Sequence, residues 1–174
     1  MRGKAIFIDI DGPLSWGNWP DGEVKIMEGT KGEFTIPYAW DKAECDALSE
    51  IIKQTDAQLV VSSDWKKHFG FIQLSMIFEH YGIGRWNLLD TTSHFNPRKK
   101  MSSSNQWDRA CEIETWVKTY KPTNWISIDD MQLNFGYKSL GIPQFHHVQV
   151  DGDWWGRGGK LRDKVDECVN KLNR

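Results

Sequence analysis

Apolar residues along the chain fall either in short unbroken runs or at helical spacing, and the two styles alternate. Residues 4–10 are nearly continuous Ala, Ile and Phe and stop at a turn, which predicts a central parallel strand covered on both faces. Gln58-Leu59-Val60-Val61-Ser62 and Trp125-Ile126-Ser127-Ile128 repeat that pattern; residues 145–150 predict a fourth strand and 86–89 a short one. Between them, Ala43, Ala47, Leu48, Ile51 and Ile52 recur at helical spacing, predicting a helix over 41–54 with Asp41 as N-cap. Further helices are predicted over 65–81, stopped by Gly82, over 107–120, stopped by Lys121-Pro122, and over 160–172.

Two stretches break the alternation. Residues of about 15–38 hold Gly17, Pro20-Asp21-Gly22 and two short strand patterns, 23–27 and 33–36, and predict a small β-hairpin flap. Residues of about 91–106 are rich in Ser, Thr, Asn and Pro and predict a long loop. The rest implies an α/β fold, a parallel sheet with helices on both faces, in which ligands bind at the carboxyl ends of the strands. The 174 residues are most simply one domain, 1–174.

Composition narrows the function classes. With 22 Lys and Arg against 24 Asp and Glu there is no global basic field, so an anionic partner must be met locally. Three widely spaced cysteines with no C-x-x-C favour neither a disulfide framework nor a zinc cluster. The first strand begins too early for a signal peptide and no apolar run is long enough for a bilayer, so a soluble, cytoplasmic protein is expected, with no membrane and no obligate protein partner.

The chemistry concentrates at strand ends. Asp9 and Asp11, Ser62 and Ser63, and Asp129 and Asp130 would converge from three parts of the chain. Carboxylates this close repel and are costly to desolvate, whereas a hard cation, Mg²⁺, takes oxygen ligands and makes such a cluster usable. One Asp could then attack phosphorus while its neighbour protonates the leaving oxygen and later activates water. Taken singly, Asp129-Asp130 could be a helix N-cap and Ser62 a turn hydroxyl.

Asp9-Ile10-Asp11-Gly12-Pro13-Leu14, Ser62 after Leu59-Val60-Val61, Arg109, and Asp129-Asp130 together resemble the four motifs of the haloacid dehalogenase (HAD) superfamily of phosphohydrolases. The resemblance implies a Rossmann-like fold without a large cap domain. It makes Asp9 the nucleophile, Asp11 the general acid/base, Ser62 a phosphate ligand and Arg109 the group that offsets phosphoryl charge. Asp9, Asp11, Asp129 and Asp130 would form the Mg²⁺ site. Ser62 to Lys66, Arg109 to Trp116 and the closing His147 to Asp151 are similar to the small HAD domains of nucleic-acid repair proteins and phage polynucleotide kinase/phosphatases. Only the flap and the long loop fall outside the resemblance. Pro13 stands where that superfamily usually has Thr or Val. Its basic residue is more often Lys, so Lys66, Lys67, Lys99 and Lys100 rival Arg109, which could instead be a surface helix residue.

The expectation is therefore a Mg²⁺-dependent phosphomonoester hydrolase acting through an aspartyl-phosphate on a nucleotide or a phosphorylated nucleic-acid end. A small-metabolite phosphatase and a non-catalytic binding module on the same fold are the alternatives. Of ten tryptophans, Trp116 and Trp125 are expected in the core. Trp16 and Trp19, with Trp65, would form a stacking platform for a base. Ser63, Lys66, Arg98 and Lys99 would join Ser62 in meeting substrate phosphates, as would Lys100.

Overall fold

The computed structural model describes residues 3–15, 22–27, 32–93, 105–150 and 160–174. In chain order these form β1 (Lys4–Ile8), β2 (Val24–Met27), β3 (Glu33–Ile36), α1 (Lys42–Thr55), β4 (Gln58–Val61), α2 (Phe71–His80), β5 (Leu88–Thr91), α3 (Asn105–Tyr120), β6 (Asn124–Asp129), α4 (Asn134–Leu140), β7 (His147–Gln149) and α5 (Val165–Leu172). Five strands make one parallel sheet in the order β5-β4-β1-β6-β7, and β2 and β3 form a separate antiparallel hairpin.

Alternation along β1 explains its unbroken apolarity, because successive side chains enter opposite layers. Ile6 and Ile8 join a core with α1, α2 and α5, whereas Ala5 and Phe7 join one with Ala110, Ile113 and Trp116 of α3 and Tyr137 of α4. Trp116 and Trp125 meet Phe7 edge-on at 5.2 and 5.5 Å, as expected of core tryptophans. The hairpin is pinned to the first of these cores by Ile26 and Ile36. Asp41 caps α1, its Oδ1 accepting from the Ala43 amide at 2.8 Å. Among the described residues no helix is long and apolar enough to cross a membrane.

Several boundaries differ from expectation. β1 ends at Ile8, since the Ile10 amide donates to the side chain of Asp9 rather than to a neighbouring strand. Residues 65–70 are not part of α2. Ser63 caps a short 3₁₀ turn over Asp64–Lys67, and α2 starts afresh after Gly70, whose amide donates to Gln73 Oε1 at 3.1 Å. Residues 144–146 and 161–164 are likewise 3₁₀ turns preceding β7 and α5. β5 lies at 88–91, two residues beyond the expected strand, with a 3₁₀ turn over Arg85–Asn87 before it. Helix α4 was not foreseen. It packs on α3 where Gly136 approaches Ala110 so closely that a Cβ on the glycine would lie 2.7 Å from the alanine Cβ.

Candidate active site

Register brings the acidic strand ends together. Ile8 pairs with Val61 on one side and Ile128 on the other. The next residue of each strand, Ser62, Asp9 and Asp129, therefore opens at the same carboxyl edge. The Asp9 amide donates to Ile128 O at 3.0 Å and the Ser62 amide to Ile8 O at 2.9 Å.

Past Asp9 the chain curls back on itself. Leu14 and Ser15 amides both donate to Ile10 O at 3.0 Å, and the Gly12 amide donates to Ser15 O. The turn closes through the amides of Gly12, Leu14 and Ser15, so the missing N–H of Pro13 leaves none of these bonds unmade, which accounts for its tolerance there. Gly12 has φ +95°, and a Cβ on it would fall 2.7 Å from the Cβ of Asp130. Glycine thus serves both the left-handed turn and a close approach.

Arg109, from the first turns of α3, inserts between the two buried acids. Its Nη1 stands 2.8 Å from Asp9 Oδ2 and 2.8 Å from Asp129 Oδ2. Asp9 Oδ1 accepts from the Ile10 amide at 2.8 Å. Asp129 Oδ1 accepts from the Met131 amide at 2.9 Å. Burial pushes the carboxyl of Asp9 up from its ordinary value, with Arg109 opposing. Asp129 is pushed up further, by burial and then by the charge of Asp9, and Asp130 is raised by the same two causes. Burial works against the charge on Arg109, yet Asp129 and Asp9 hold it above its ordinary value as a guanidinium.

Asp9, Asp129 and Asp130 each offer an oxygen within 4.8 Å of the others. When ionised, the three carboxylates would outweigh the one guanidinium by two charges, and the donors are all oxygen, a set that fits Mg²⁺. Asp11, expected among the ligands, is not brought into this group. The turn aims it toward the hairpin side, where its Oδ1 accepts from Tyr38 Oη at 2.5 Å and Trp65 Nε1 at 3.0 Å. The two aspartates of the first motif are thereby separated into a buried one and a half-buried one.

A cleft of about 290 Å³ opens over these residues, lined also by Asp64, Lys67, Asp108 and Met131. Ser62 shares the strand edge with Asp9 but does not line the cleft, and its buried hydroxyl has no hydrogen-bond partner among the described residues. Lys66 is a correction to the expected phosphate ligands. Its side chain is only 4% exposed and is consumed by Glu112 of α3 and by Thr92 Oγ1, the latter at 2.6 Å. Its neighbour Lys67, paired with Asp64, is the lysine on the cleft. Trp65 is likewise no open platform: 4% exposed, it is packed among Tyr38, Trp40 and Phe69 with ring centroids 5.3–5.7 Å away. Trp16, Trp19, Arg98, Lys99 and Lys100 lie outside the described residues. Tyr38 and Asp108 carried no motif signal, and only their tertiary placement reveals them; Asp64 lies inside the Ser62 to Lys66 resemblance, which gives it no role.

A central strand flanked by two others, with acids at the carboxyl ends of two of them, a serine at the third and a small hairpin after the first, is the architecture of a HAD-superfamily domain. Within it the chain belongs to a particular family, the HAD domain in Swiss Army Knife RNA repair proteins, which matches residues 5–154. No curated protein and no solved structure matches the chain. Membership points to phosphatase-type activity in an RNA-repair setting.

Proposed function

We propose that this protein hydrolyses a phosphomonoester at a nucleic-acid end, with Mg²⁺ and through an aspartyl-phosphate on Asp9. The observation that carries the reading is the separation of the two motif aspartates. Asp9 is locked beside Arg109 and Asp129, while Asp11 is held apart on the far side of the turn.

Asp9, Asp129 and Asp130 would hold the cation, which when bound supplies the positive charge that lets an anionic phosphate approach. Arg109 adds fixed positive charge at the same place. The orphaned Ser62 hydroxyl supports a phosphate oxygen as its missing partner. A carboxylate oxygen of Asp9 attacks phosphorus, the bond to the ester oxygen breaks, and Asp11 gives its proton to that oxygen. Asp11, now ionised, takes a proton from water as the water attacks phosphorus, releasing inorganic phosphate and restoring Asp9.

Release of phosphate from 3′- and 5′-phosphorylated oligonucleotides, mononucleotides and sugar phosphates tests this directly. Wild type with Mg²⁺ should prefer the oligonucleotide ends, and EDTA or Asp9→Asn should abolish release. Turnover confined to sugar phosphates would make it a metabolite phosphatase, and turnover of none would leave only binding.

A further inference from the structure

Beside the phosphate cleft lies a second cavity of about 400 Å³, lined by Pro37, Tyr38, Trp65, His68 and Phe69 and sharing Asp11 and Asp64 with the first. We propose that this cavity receives the leaving nucleoside, the terminal base and sugar from which the phosphate is removed. The inference rests on the phosphatase reading above and specifies its substrate side.

Three observations carry it. The acid that protonates the ester oxygen must touch that oxygen, so the alcohol lies on the Asp11 side of the phosphorus, and Asp11 forms part of the boundary between the cavities. Among the described residues the lining is mainly aromatic and acidic, with the imidazole of His68, and includes no Lys or Arg, so it suits a neutral ring rather than a further phosphate. The polar ends of its two largest side chains, Tyr38 Oη and Trp65 Nε1, are already given to Asp11. With Trp65 almost wholly buried, the ring surface left for a ligand is that of half-buried Tyr38 and Phe69, which favours any base by contact rather than one base by hydrogen bonds. Phe69 is half-buried and supported by Phe34 of the hairpin at 6.0 Å, while Pro37 and His68 stand exposed at the rim. Its size falls within the range of small-molecule sites.

The test pairs a substrate change with a side-chain change. Two phosphorylated oligonucleotides differ only in that one carries an abasic terminal residue, and kcat/KM is measured for both with wild type, Phe69→Ala and Phe69→Leu. Wild type should favour the base-bearing end about tenfold, and that ratio should fall toward one in both variants. Phe69→Leu keeps apolar volume at the site, so the comparison stands if Phe69→Ala does not fold. Equal kcat/KM for the two ends in wild type, or a ratio unchanged in Phe69→Leu, overturns the subsite while leaving the phosphatase reading intact. Absence of Mg²⁺-dependent phosphate release from every substrate would overturn the phosphatase reading and the subsite with it.

Discussion

Gly12 lies against Asp130 with no room for a side chain: a Cβ on the glycine would sit 2.7 Å from the aspartate's own Cβ. Backbone and site are coupled at this point, because the same residue has φ +95°. Gly12→Ala should therefore lose about 2–4 kcal/mol of stability, combining left-handed strain with overpacking. Asp130 must also move, so Mg²⁺ affinity measured by calorimetry should weaken. A variant as stable as wild type in urea, with unchanged Mg²⁺ binding, would contradict this coupling.

Arg109 is the guanidinium between Asp9 and Asp129. Removing one partner of a buried pair leaves uncompensated charge, so Arg109→Ala in EDTA should be destabilised by roughly 3–5 kcal/mol. On the proposed metal site, saturating Mg²⁺ should recover part of that loss, since it would bind the folded carboxylates and not the unfolded chain. The pH dependence has a definite sign. Burial raises the carboxyls of Asp9 and Asp129 above their unfolded values, so the folded state takes up protons first. Metal-free Arg109→Ala should accordingly gain stability relative to wild type as pH falls from neutral. Urea melts with and without Mg²⁺ across pH give the comparison.

How much of this was legible in the sequence depends on how local each signal is. The strand core was readable because a strand covered on both faces needs an unbroken apolar run, and β1, β4 and β6 have one. Their shared carboxyl edge then followed from parallel register, which brought Asp9, Ser62 and Asp129 into view. Helix α4 was hidden because it is only seven residues long with Gly136 in its middle, so that Tyr137 and Leu140, after Leu133 at the cap, are all that mark its packed face. The fates of Lys66 and Trp65 were illegible for a different reason. Both stand in sequence beside Ser62, at the expected phosphate site, but their partners, Glu112 and Asp11, come from 46 and 54 residues away.

The Lys66–Glu112 pair makes a clear case. Glu112 is one turn along α3 from Arg109, so the pair ties the loop after β4 to the helix that carries the site guanidinium. Lys66→Met alone should be destabilising by roughly 3–5 kcal/mol, and Lys66→Met with Glu112→Leu much less so, because no charge is then left buried without a partner. The double variant should keep a KM near wild type, whereas Lys67→Ala, on the cleft, should raise KM several-fold. A large KM increase in the stably folded double variant would return Lys66 to the phosphate site.

Tyr38 holds Asp11 from the end of the hairpin. Burial, and then its hydrogen bond to Asp11, keeps its phenol above the ordinary value, so it is protonated at neutral pH and donates. Trp65 Nε1 can only donate, so with Oδ1 accepting twice, Oδ2 is the oxygen of Asp11 left to hand a proton to the leaving group in the proposed reaction. Tyr38→Phe should lower kcat about tenfold for alkyl and nucleoside esters, which need their leaving oxygen protonated. For p-nitrophenyl phosphate, whose leaving group needs little proton assistance, the loss should be far smaller. Equal losses on both classes would assign Tyr38 to binding rather than to placing the acid.

His147 supplies an acid-sensitive element away from the cleft. It is 5% exposed on β7, its Nδ1 lies 3.1 Å from Ser127 Oγ, and its Nε2 is buried without a hydrogen-bond partner among the described residues. Burial lowers its pKa from 6.5 to about 4, and the nearby charges of Lys171 and Lys164 act in the same direction. Between those two values the unfolded chain takes up a proton that the fold refuses, so stability falls as pH falls. The loss should reach roughly 3 kcal/mol by the lower limit. His147→Gln removes this titration, so its unfolding free energy should decline less steeply than that of wild type across the same interval. Parallel declines in urea melts of the two proteins would show that His147 is not the group that senses acid.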